Sequence, residues 1–299
     1  MLKEQPDIEQ IGELLDSLSH KDFCFICGTI KSGTTWVQLL LDAHPQIRCR
    51  GEGHLVNVLS KELGQTLNKY NELIYIKNTK IFKEIEGFPV FSQKHYRLLF
   101  LFAVFLLFSE YGEIDNVRVI GEKTPDNTRY LNSLKDLFPR AKFIHVVRDG
   151  RDIAVSGWYH NLRITPNWAH EKFENIDTFA EFVAHDWSRS IDAAKRFGEK
   201  NPTAMLEVRY EDLLSEPATE VRRIFSFLDV EVSQKLIERC CRDASFESLS
   251  GGRRTGEEDR SSHFRKATKG QWREELSDQT LSKFQSIAGT QLRMHGYEP

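Results

Sequence analysis

The sequence has few cysteines and no arrangement of them that would build a disulfide framework or a zinc site. Its 299 residues include five cysteines, an odd number for a chain of this length. Cys24 and Cys27 form a CxxC pair, but no second CxxC or Cys/His pair follows at the spacing of zinc ligands. We therefore predict two small apolar side chains in a buried strand, no bound metal and a reducing compartment.

The sequence also lacks a hydrophobic run long enough to cross a membrane. Its most apolar stretch, LLFLFAVFLLF, covers residues 98–108, whereas a membrane-spanning helix needs about 20 residues. We predict that this stretch is a buried helix. The acidic N-terminus has no apolar segment typical of a signal peptide. These features predict a cytoplasmic protein without a membrane span.

The sequence carries little net charge. The formal value is −3 at pH 7, so nothing in the bulk charge favours nucleic acid or an anionic membrane as a partner. Any anion-binding site must therefore be local. The composition, 40% hydrophobic and 28% charged, is typical of a soluble globular protein and leaves the oligomeric state open.

Short apolar runs alternate with helical patterns, which predicts an α/β protein with a central parallel sheet flanked by helices. No linker or repeat divides the chain, so we predict one domain over residues 1–299, with residues 1–20 as a helical N-terminal extension. Residues 249–271, polar and rich in glycine and arginine, are predicted to form a long loop, which at this length is usually functional or disordered. Strands are predicted at residues 23–27, 117–120, 143–147 and 204–208. Helices are predicted at residues 8–18, 34–43 and 128–138. A further helix follows RDGRD and ends at residue 159, and the last one begins at residue 275.

The stretch GTIKSGTTW, residues 28–36, lies where a predicted strand passes into a helix. Gly28 and Gly33 have the spacing of the phosphate loop of nucleotide triphosphatases, but Thr34 and Thr35 follow where that loop has lysine and a hydroxyl residue. Lys31 lies inside the loop instead. Backbone N–H groups and the positive end of the following helix still favour an anion there.

The loop therefore predicts a site for a 5′-phosphate that carries a group other than a triphosphate chain. Lys31 would neutralise the oxygen that leaves when a group departs from that phosphate. Trp36 offers a flat surface on which a base could stack. A strand-to-helix turn without a ligand is the alternative. The predicted ligand contacts in this stretch are Lys31, Ser32, Gly33, Thr34, Thr35 and Trp36.

IKSGTTW resembles the 5′-phosphosulfate-binding loop of the sulfotransferases that use 3′-phosphoadenosine 5′-phosphosulfate (PAPS). The family usually has proline where this chain has Ile30. The resemblance implies a sulfotransferase fold related to that of the P-loop nucleotide triphosphatases. It also implies PAPS as the donor, 3′-phosphoadenosine 5′-phosphate (PAP) as the product, and no metal.

Two further stretches resemble the family's second anion site. FIHVVRDGRDIAVSGWYH, residues 143–160, contains Arg148 and, eight residues later, Ser156, which match the arginine and serine that hold the 3′-phosphate. FRKATKGQW, residues 264–272, is similar to the late basic loop that closes over this phosphate. Arg265 and Lys266 match that loop, whereas Ala267 stands where the family has glycine.

Three other residues near these stretches receive weaker predictions. Tyr210, in RYEDL, resembles a family residue that would meet the adenine, although a packed tyrosine is the alternative. Arg151 and Asp152 are interpreted as a surface or capping pair.

Sulfuryl transfer needs positive charge beside the moving group and a base for the acceptor's proton. Lys123, in GEKTP, resembles a lysine that several branches place beside that group, and Glu122 is expected to pair with it or orient it. Small-molecule cytosolic members have a histidine where this chain has Pro125. RCRGEGHLV, residues 48–56, instead resembles a stretch of the protein-tyrosine sulfotransferases, which makes Glu52 the predicted general base and His54 the runner-up.

The sequence thus predicts an enzyme that moves a sulfuryl group from PAPS to a hydroxyl or amine. A P-loop kinase acting on a small metabolite and a nucleotide-binding protein with a decayed site are the alternatives. The tyrosine- and carbohydrate-modifying branches usually carry a membrane anchor. Because this sequence shows no such segment, we expect a cytoplasmic enzyme with a small or carrier-bound acceptor.

Overall fold

The structure, a computed structural model, describes residues 8–113, 115–259, 261–262 and 264–297. Helix α1, Ile8–Ser19, forms most of the predicted N-terminal extension. The first seven residues of that extension lie outside the described residues.

A sheet of five parallel strands, in the order β2-β3-β1-β4-β5, forms the centre of the fold. The strands are β1 (Asp22–Gly28), β2 (Ile47–Gly51), β3 (Val119–Lys123), β4 (Lys142–Val147) and β5 (Met205–Arg209). The apolar sequence of β1 fits this central place, since a strand covered on both faces has buried side chains throughout. Cys24 and Cys27 are both buried in it, as predicted.

Helices cover both faces of the sheet. After α1, the α-helices in chain order are α2 (Thr34–Asp42), α3 (Lys61–Lys80), α4 (Gln93–Ser109), α5 (Leu131–Leu137), α6 (Gly150–Ile164), α7 (Pro166–Lys172), α8 (Ile176–Lys200), α9 (Tyr210–Ser215), α10 (Pro217–Phe227), α11 (Gln234–Asp243), α12 (Phe246–Leu249), α13 (Trp272–Glu275) and α14 (Asp278–Met294). A π-helical turn (Leu55–Ser60) precedes α3, and a 3-10 helix (Pro125–Tyr130) precedes α5.

The alternation of side chains along β1 divides the core between the two faces. Cys24 and Ile26 pack with α2, α10 and α11 on one face. Phe23 and Phe25 pack with α4 and α5 on the other face. A third apolar cluster lies between α6, α8 and α14.

The parallel strands bring their carboxyl ends to one edge of the sheet, which is where open α/β sheets bind ligands. Gly28 ends β1 and Lys123 ends β3. Glu52, Arg148 and Tyr210 directly follow the ends of β2, β4 and β5. The sheet therefore gathers the predicted site residues from five separate parts of the chain.

Two strands differ from the prediction. β2 was not predicted because it is an edge strand in which only Ile47 and Cys49 are buried and two arginines face outward. β3 runs through Lys123 instead of ending at residue 120, since it pairs with β1 and β2 along this whole length. Its polar end therefore belongs to the sheet and not to the loop that follows.

Helix α4 confirms the predicted helix at residues 98–108, but the prediction that it is buried is wrong. Phe100, Val104 and Phe108 form a buried stripe at a helical spacing. Leu98 and Leu107 are 56% and 49% exposed. A continuous apolar run hides the helical period, so the sequence does not reveal that only one face of α4 meets the core.

Candidate active site

The predicted phosphate loop joins β1 to α2. Lys31 and Gly33 both have a left-handed backbone, with φ of 74° and 101°, which glycine adopts readily and lysine does not. Gly28 lies so close to β4 that a Cβ there would be 2.5 Å from the carbonyl oxygen of Val146. Ser32 is fully buried, and its hydroxyl has no hydrogen-bond partner among the described residues.

A cavity of about 470 Å³ lies at the carboxyl edge of the sheet. It brings together predicted residues from the phosphate loop, α6, α9 and the late basic loop. Those that line it are Lys31, Gly33, Thr34, Thr35, Trp36, Glu52, Arg148, Ser156, Tyr210, Arg265 and Lys266. Ser32 lies behind the loop, while Lys123 and His54 reach the site through Glu52.

Lys31 occupies the most cationic part of this cavity. Burial, and after it repulsion from four surrounding cations, lowers the pKa of Lys31 from 10.5 to about 8. These cations are Arg148, Arg163, Arg265 and Lys123. Such a concentration of positive charge favours an anionic ligand, whose binding would in turn favour the protonated lysine.

Arg148 links the phosphate loop to the late basic loop. Its Nη1 donates to the carbonyl oxygen of Lys31 at 3.2 Å and its Nη2 donates to that of Thr268 at 3.0 Å. The guanidinium lies 4.4 Å from the centre of the Tyr210 ring. Its Nε is buried without a partner among the described residues. The two predicted anion sites therefore open onto one crevice.

Tyr210 and Trp36 form the wall beside these sites. Their rings meet edge-to-face with centroids 5.8 Å apart, and Trp36 Nε1 donates to the carbonyl oxygen of Ala244 at 2.8 Å. A Cβ on Gly33 would approach the Tyr210 ring to 2.6 Å. The glycine thus lets the phosphate loop lie directly on this tyrosine.

Glu52 stands at the other end of the cavity, between a lysine and a histidine. Its Oε1 is 2.5 Å from Lys123 Nζ and its Oε2 is 3.6 Å from His54 Nε2. Lys123 is buried, whereas the Glu52 side chain is 41% exposed. The carboxylate therefore combines a fixed position with access from solvent.

Glu122 holds the turn that carries Glu52 and does not hydrogen-bond to Lys123 within the described residues. The Gly53 N–H donates to Glu122 Oε1 at 2.8 Å, and Asn127 Nδ2 donates to Oε2 at 2.8 Å. Burial raises the pKa of Glu122, while these donors lower it. Lys123 acts on Glu122 through its charge, and the hydrogen bonds of Glu122 link β3 to the Glu52 turn.

The interpretation of Arg151 and Asp152 as a surface or capping pair is wrong. Both side chains are buried. Arg151 pairs with Asp149 at 2.9 Å and lies 3.7 Å from the centre of the Trp272 ring. Asp152 instead accepts hydrogen bonds from the backbone of the late basic loop. The sequence pattern did not indicate these hydrogen bonds, because the late basic loop follows Asp152 by more than 100 residues.

Sequence reasoning missed several residues that line the cavity. Tyr159, His160 and Arg163 share the face of α6 that carries Ser156. Their spacing from this serine is that of one helical face, a signal that would have identified them. Four apolar residues also line the cavity: Leu214, Pro217, Phe246 and Leu249. No such signal would have identified them, because they come from turns and short helices.

The fold and this crevice define a class: an α/β protein with a P-loop-like fold, in which the predicted anion-binding residues line one cavity at the sheet edge. The sequence profile of the sulfotransferase family matches residues 24–234. The chain therefore belongs to the sulfotransferase family, as the resemblance implied.

The chain is similar to curated relatives from two branches of the family. Protein-tyrosine sulfotransferase A of Caenorhabditis elegans is 27% identical over 219 residues, which cover 72% of this chain and 52% of that protein. Cytosolic sulfotransferase 1 of Arabidopsis thaliana is 25% identical over 205 residues, which cover 57% of this chain and 60% of that protein. The chain thus spans little more than half the length of these relatives.

A solved structure confirms the predicted sulfotransferase fold. Mouse sulfotransferase SULT7A1 complexed with PAP matches with a TM-score of 0.57 at 19% identity, over 94% of this chain and 89% of that one. Within the residues that the structure describes, no group of three or more His, Cys, Asp or Glu side chains is arranged to hold a metal ion.

The predicted cytoplasmic location is wrong. It rested on the lack of a long apolar segment, whereas relatives from three animals are named protein-tyrosine sulfotransferases. That branch is the one that usually carries a membrane anchor. In the described part of the chain, no helix combines the length and the apolar character that a membrane span requires.

Proposed function

We propose that this protein transfers a sulfuryl group from PAPS to a hydroxyl or amine of an acceptor. The observation that carries the proposal is that Lys31 and Arg148, which are neighbours, line the same crevice. A donor with phosphates at both its 5′ and 3′ ends requires two anion sites in one cavity. The PAP bound in the mouse relative agrees with this donor class.

Unsatisfied polar atoms at the crevice and behind the phosphate loop fit such a donor. The Ser32 hydroxyl and Arg148 Nε are both buried and lack partners among the described residues. Buried polar groups are usually hydrogen-bonded, so orphaned donors beside a cavity favour a ligand that accepts from them. The N-terminus of α2, preceded by Gly33, adds its own N–H groups and dipole. We assign the 5′ end to residues 31–36 and the 3′ end to Arg148, Ser156, Arg265 and Lys266.

The donor supplies the sulfuryl group, whose S–O bond to the 5′-phosphate breaks as the acceptor oxygen or nitrogen bonds to sulfur. Lys31 stabilises the negative charge that then remains on the phosphate oxygen. Glu52 accepts the proton that the acceptor gives up. Lys123 fixes the Glu52 carboxylate through their ion pair and offers positive charge to the moving group. His54 faces the second oxygen of Glu52 and stays the alternative base.

The exposed position of Glu52 favours an acceptor that approaches from solvent and does not have to be enclosed. A hydroxyl on a small molecule or on a larger carrier fits this requirement. Relatives named protein-tyrosine sulfotransferases support a hydroxyl on a larger carrier. This chain also resembles the solved structure of retinol dehydratase, which was crystallised with a small molecule, androsterone. We therefore propose that the acceptor is a hydroxyl presented at an open site.

The test combines turnover with donor binding. Labelled PAPS is incubated with the protein and a panel of phenols, alcohols, glycans and tyrosine peptides. With the best acceptor, Lys31→Ala should lower kcat on the order of 10²- to 10³-fold, as expected when a donor to a developing oxyanion is lost. Lys195→Ala, a half-exposed lysine on α8, is the control and should keep full activity.

Thermal shift with PAP and with ATP plus Mg²⁺ separates the alternatives. PAP alone should raise the Tm of the protein. A response only to ATP plus Mg²⁺ would support a kinase, and PAP binding without transfer to any acceptor would support a decayed site. Normal turnover by Lys31→Ala would remove the role assigned to that lysine.

A further inference from the structure

The late basic loop, residues 264–272, is attached to α6 by one buried carboxylate. Asp152, only 2% exposed, accepts from the Gly270 N–H at 2.6 Å through Oδ2. It accepts from the Trp272 N–H at 3.3 Å through Oδ1. Both oxygens of one side chain thus hold the end of a loop that lies more than 100 residues away along the chain.

The same loop forms one side of the crevice. Arg265, Lys266 and Thr268 line the cavity, and the carbonyl oxygen of Thr268 accepts from Arg148. Asp152 lies on the first turn of α6, four residues after Arg148. The loop is therefore tied at two points to the segment that carries the proposed 3′-phosphate arginine.

A carboxylate suits this place better than an amide of the same shape. It offers an acceptor oxygen to each of the two N–H groups, whereas asparagine has one acceptor oxygen and an NH₂ that would face a donor. Burial raises the pKa of Asp152, while Arg148 and the two backbone N–H groups lower it. Hydrogen bonds to a charged acceptor are also stronger than those to a neutral one.

We propose that Asp152 is a positioning residue for the donor: it fixes residues 264–272 so that Arg265 and Lys266 face the crevice beside Arg148. This inference rests on the proposed function, since the donor is the ligand that the loop would cover. Asp152 acts through the loop backbone and needs no contact with the donor itself. Its removal should therefore weaken donor binding more than it slows transfer.

The test measures PAP binding by calorimetry and loop protection by amide hydrogen exchange in Asp152→Asn. The variant should bind PAP about 10-fold more weakly, the loss expected for one hydrogen bond to a charged group. The amides of Gly270 and Trp272 should exchange faster than in the wild type. At saturating PAPS, kcat should stay within about threefold of the wild-type value, so that the loss appears in KM. Asp152→Glu keeps the charge and should bind PAP more tightly than Asp152→Asn.

Asp177→Asn is the matched control. Asp177 also lies in the first turn of a helix and accepts from the backbone N–H of a distant residue, Ser277, at 3.2 Å, but it does not line the cavity. This variant should lower the Tm without changing PAP affinity.

Three results would overturn the inference. They are unchanged PAP affinity in Asp152→Asn, an equal loss in Asp177→Asn, and an Asp152→Glu variant that binds no better than Asp152→Asn. If the wild type itself does not bind PAP, the proposed function fails and this inference fails with it.

Discussion

At the scale of single residues, the lysine inside the phosphate loop distinguishes this site from a triphosphate site. A lysine after the second glycine reaches toward β- and γ-phosphates, but here that place is taken by Thr34. Lys31 has a left-handed backbone and lies next to Arg148, whose Nη1 holds its carbonyl oxygen. This hydrogen bond thus stabilises the unusual conformation of Lys31, which lines the cavity.

The depressed pKa of Lys31 predicts a fall in activity at alkaline pH. Because this pKa is lowered to about 8, the lysine of the free enzyme loses its proton, and its attraction for the donor, as the pH rises through that value. We expect kcat/KM for PAPS, measured from pH 6 to about 9.5, to decline above about pH 8. Lys31→Arg keeps its charge over this range and should lack that decline. The same decline in Lys31→Arg would assign the titration to another group.

At the scale of secondary structure elements, helix α4 shows what a sequence pattern predicts and what it does not. The apolar run correctly predicts a helix, yet its two faces differ in the structure: Phe108 is 1% exposed and the adjacent Leu107 is 49% exposed. α4 packs through one face onto α1, α3 and the π-helical turn. Composition alone cannot assign the faces, because they depend on partners that are distant in the sequence.

This difference predicts unequal losses of stability from two neighbouring truncations. Phe108→Ala should lower the free energy of unfolding by about 3–5 kcal/mol, the usual cost of an aromatic cavity. Leu107→Ala should change it by less than about 0.5 kcal/mol, as for other surface positions. Urea unfolding of the two variants measures both values. A large loss in Leu107→Ala would mean that this face is covered in solution.

The same reasoning separates what the sequence predicts about the site from what it does not. Motifs that are continuous along the chain were found in the sequence: the phosphate loop from its glycine spacing, and the pair Arg148 and Ser156 from the family resemblance. Lys31, Arg148 and Ser156 line one cavity. The hydrogen bonds of Glu122 and Asp152 join segments far apart in the chain. Their ends meet only after the sheet has formed. No local pattern therefore indicated that these two acids hold loops in place.

At the scale of the whole molecule, the crevice is assembled from segments that span most of the chain. The phosphate loop, the Glu52 turn, α6, α9 and the late basic loop meet at one edge of the sheet. We propose that the chain acts as one domain, because the site needs all of these parts together. A ligand that binds only the folded state then stabilises the entire assembly, by about 2.7 kcal/mol at 100 times its Kd.

A nucleotide held at both ends should depend on its 3′-phosphate, and that dependence should weaken when Arg148 is removed. In the wild type, PAP should bind about 10- to 100-fold more tightly than adenosine 5′-phosphate, the range expected for charge-assisted hydrogen bonds. In Arg148→Ala the preference for PAP should shrink about 10-fold, because one charged contact to the 3′-phosphate is lost while Ser156, Arg265 and Lys266 remain. Arg140→Ala, which removes an exposed arginine bonded to the carbonyl oxygen of Ser19, should keep the full difference. Calorimetric titration of the three proteins with both nucleotides measures this difference. A preference for PAP that is unchanged in Arg148→Ala would remove that arginine from the 3′ site.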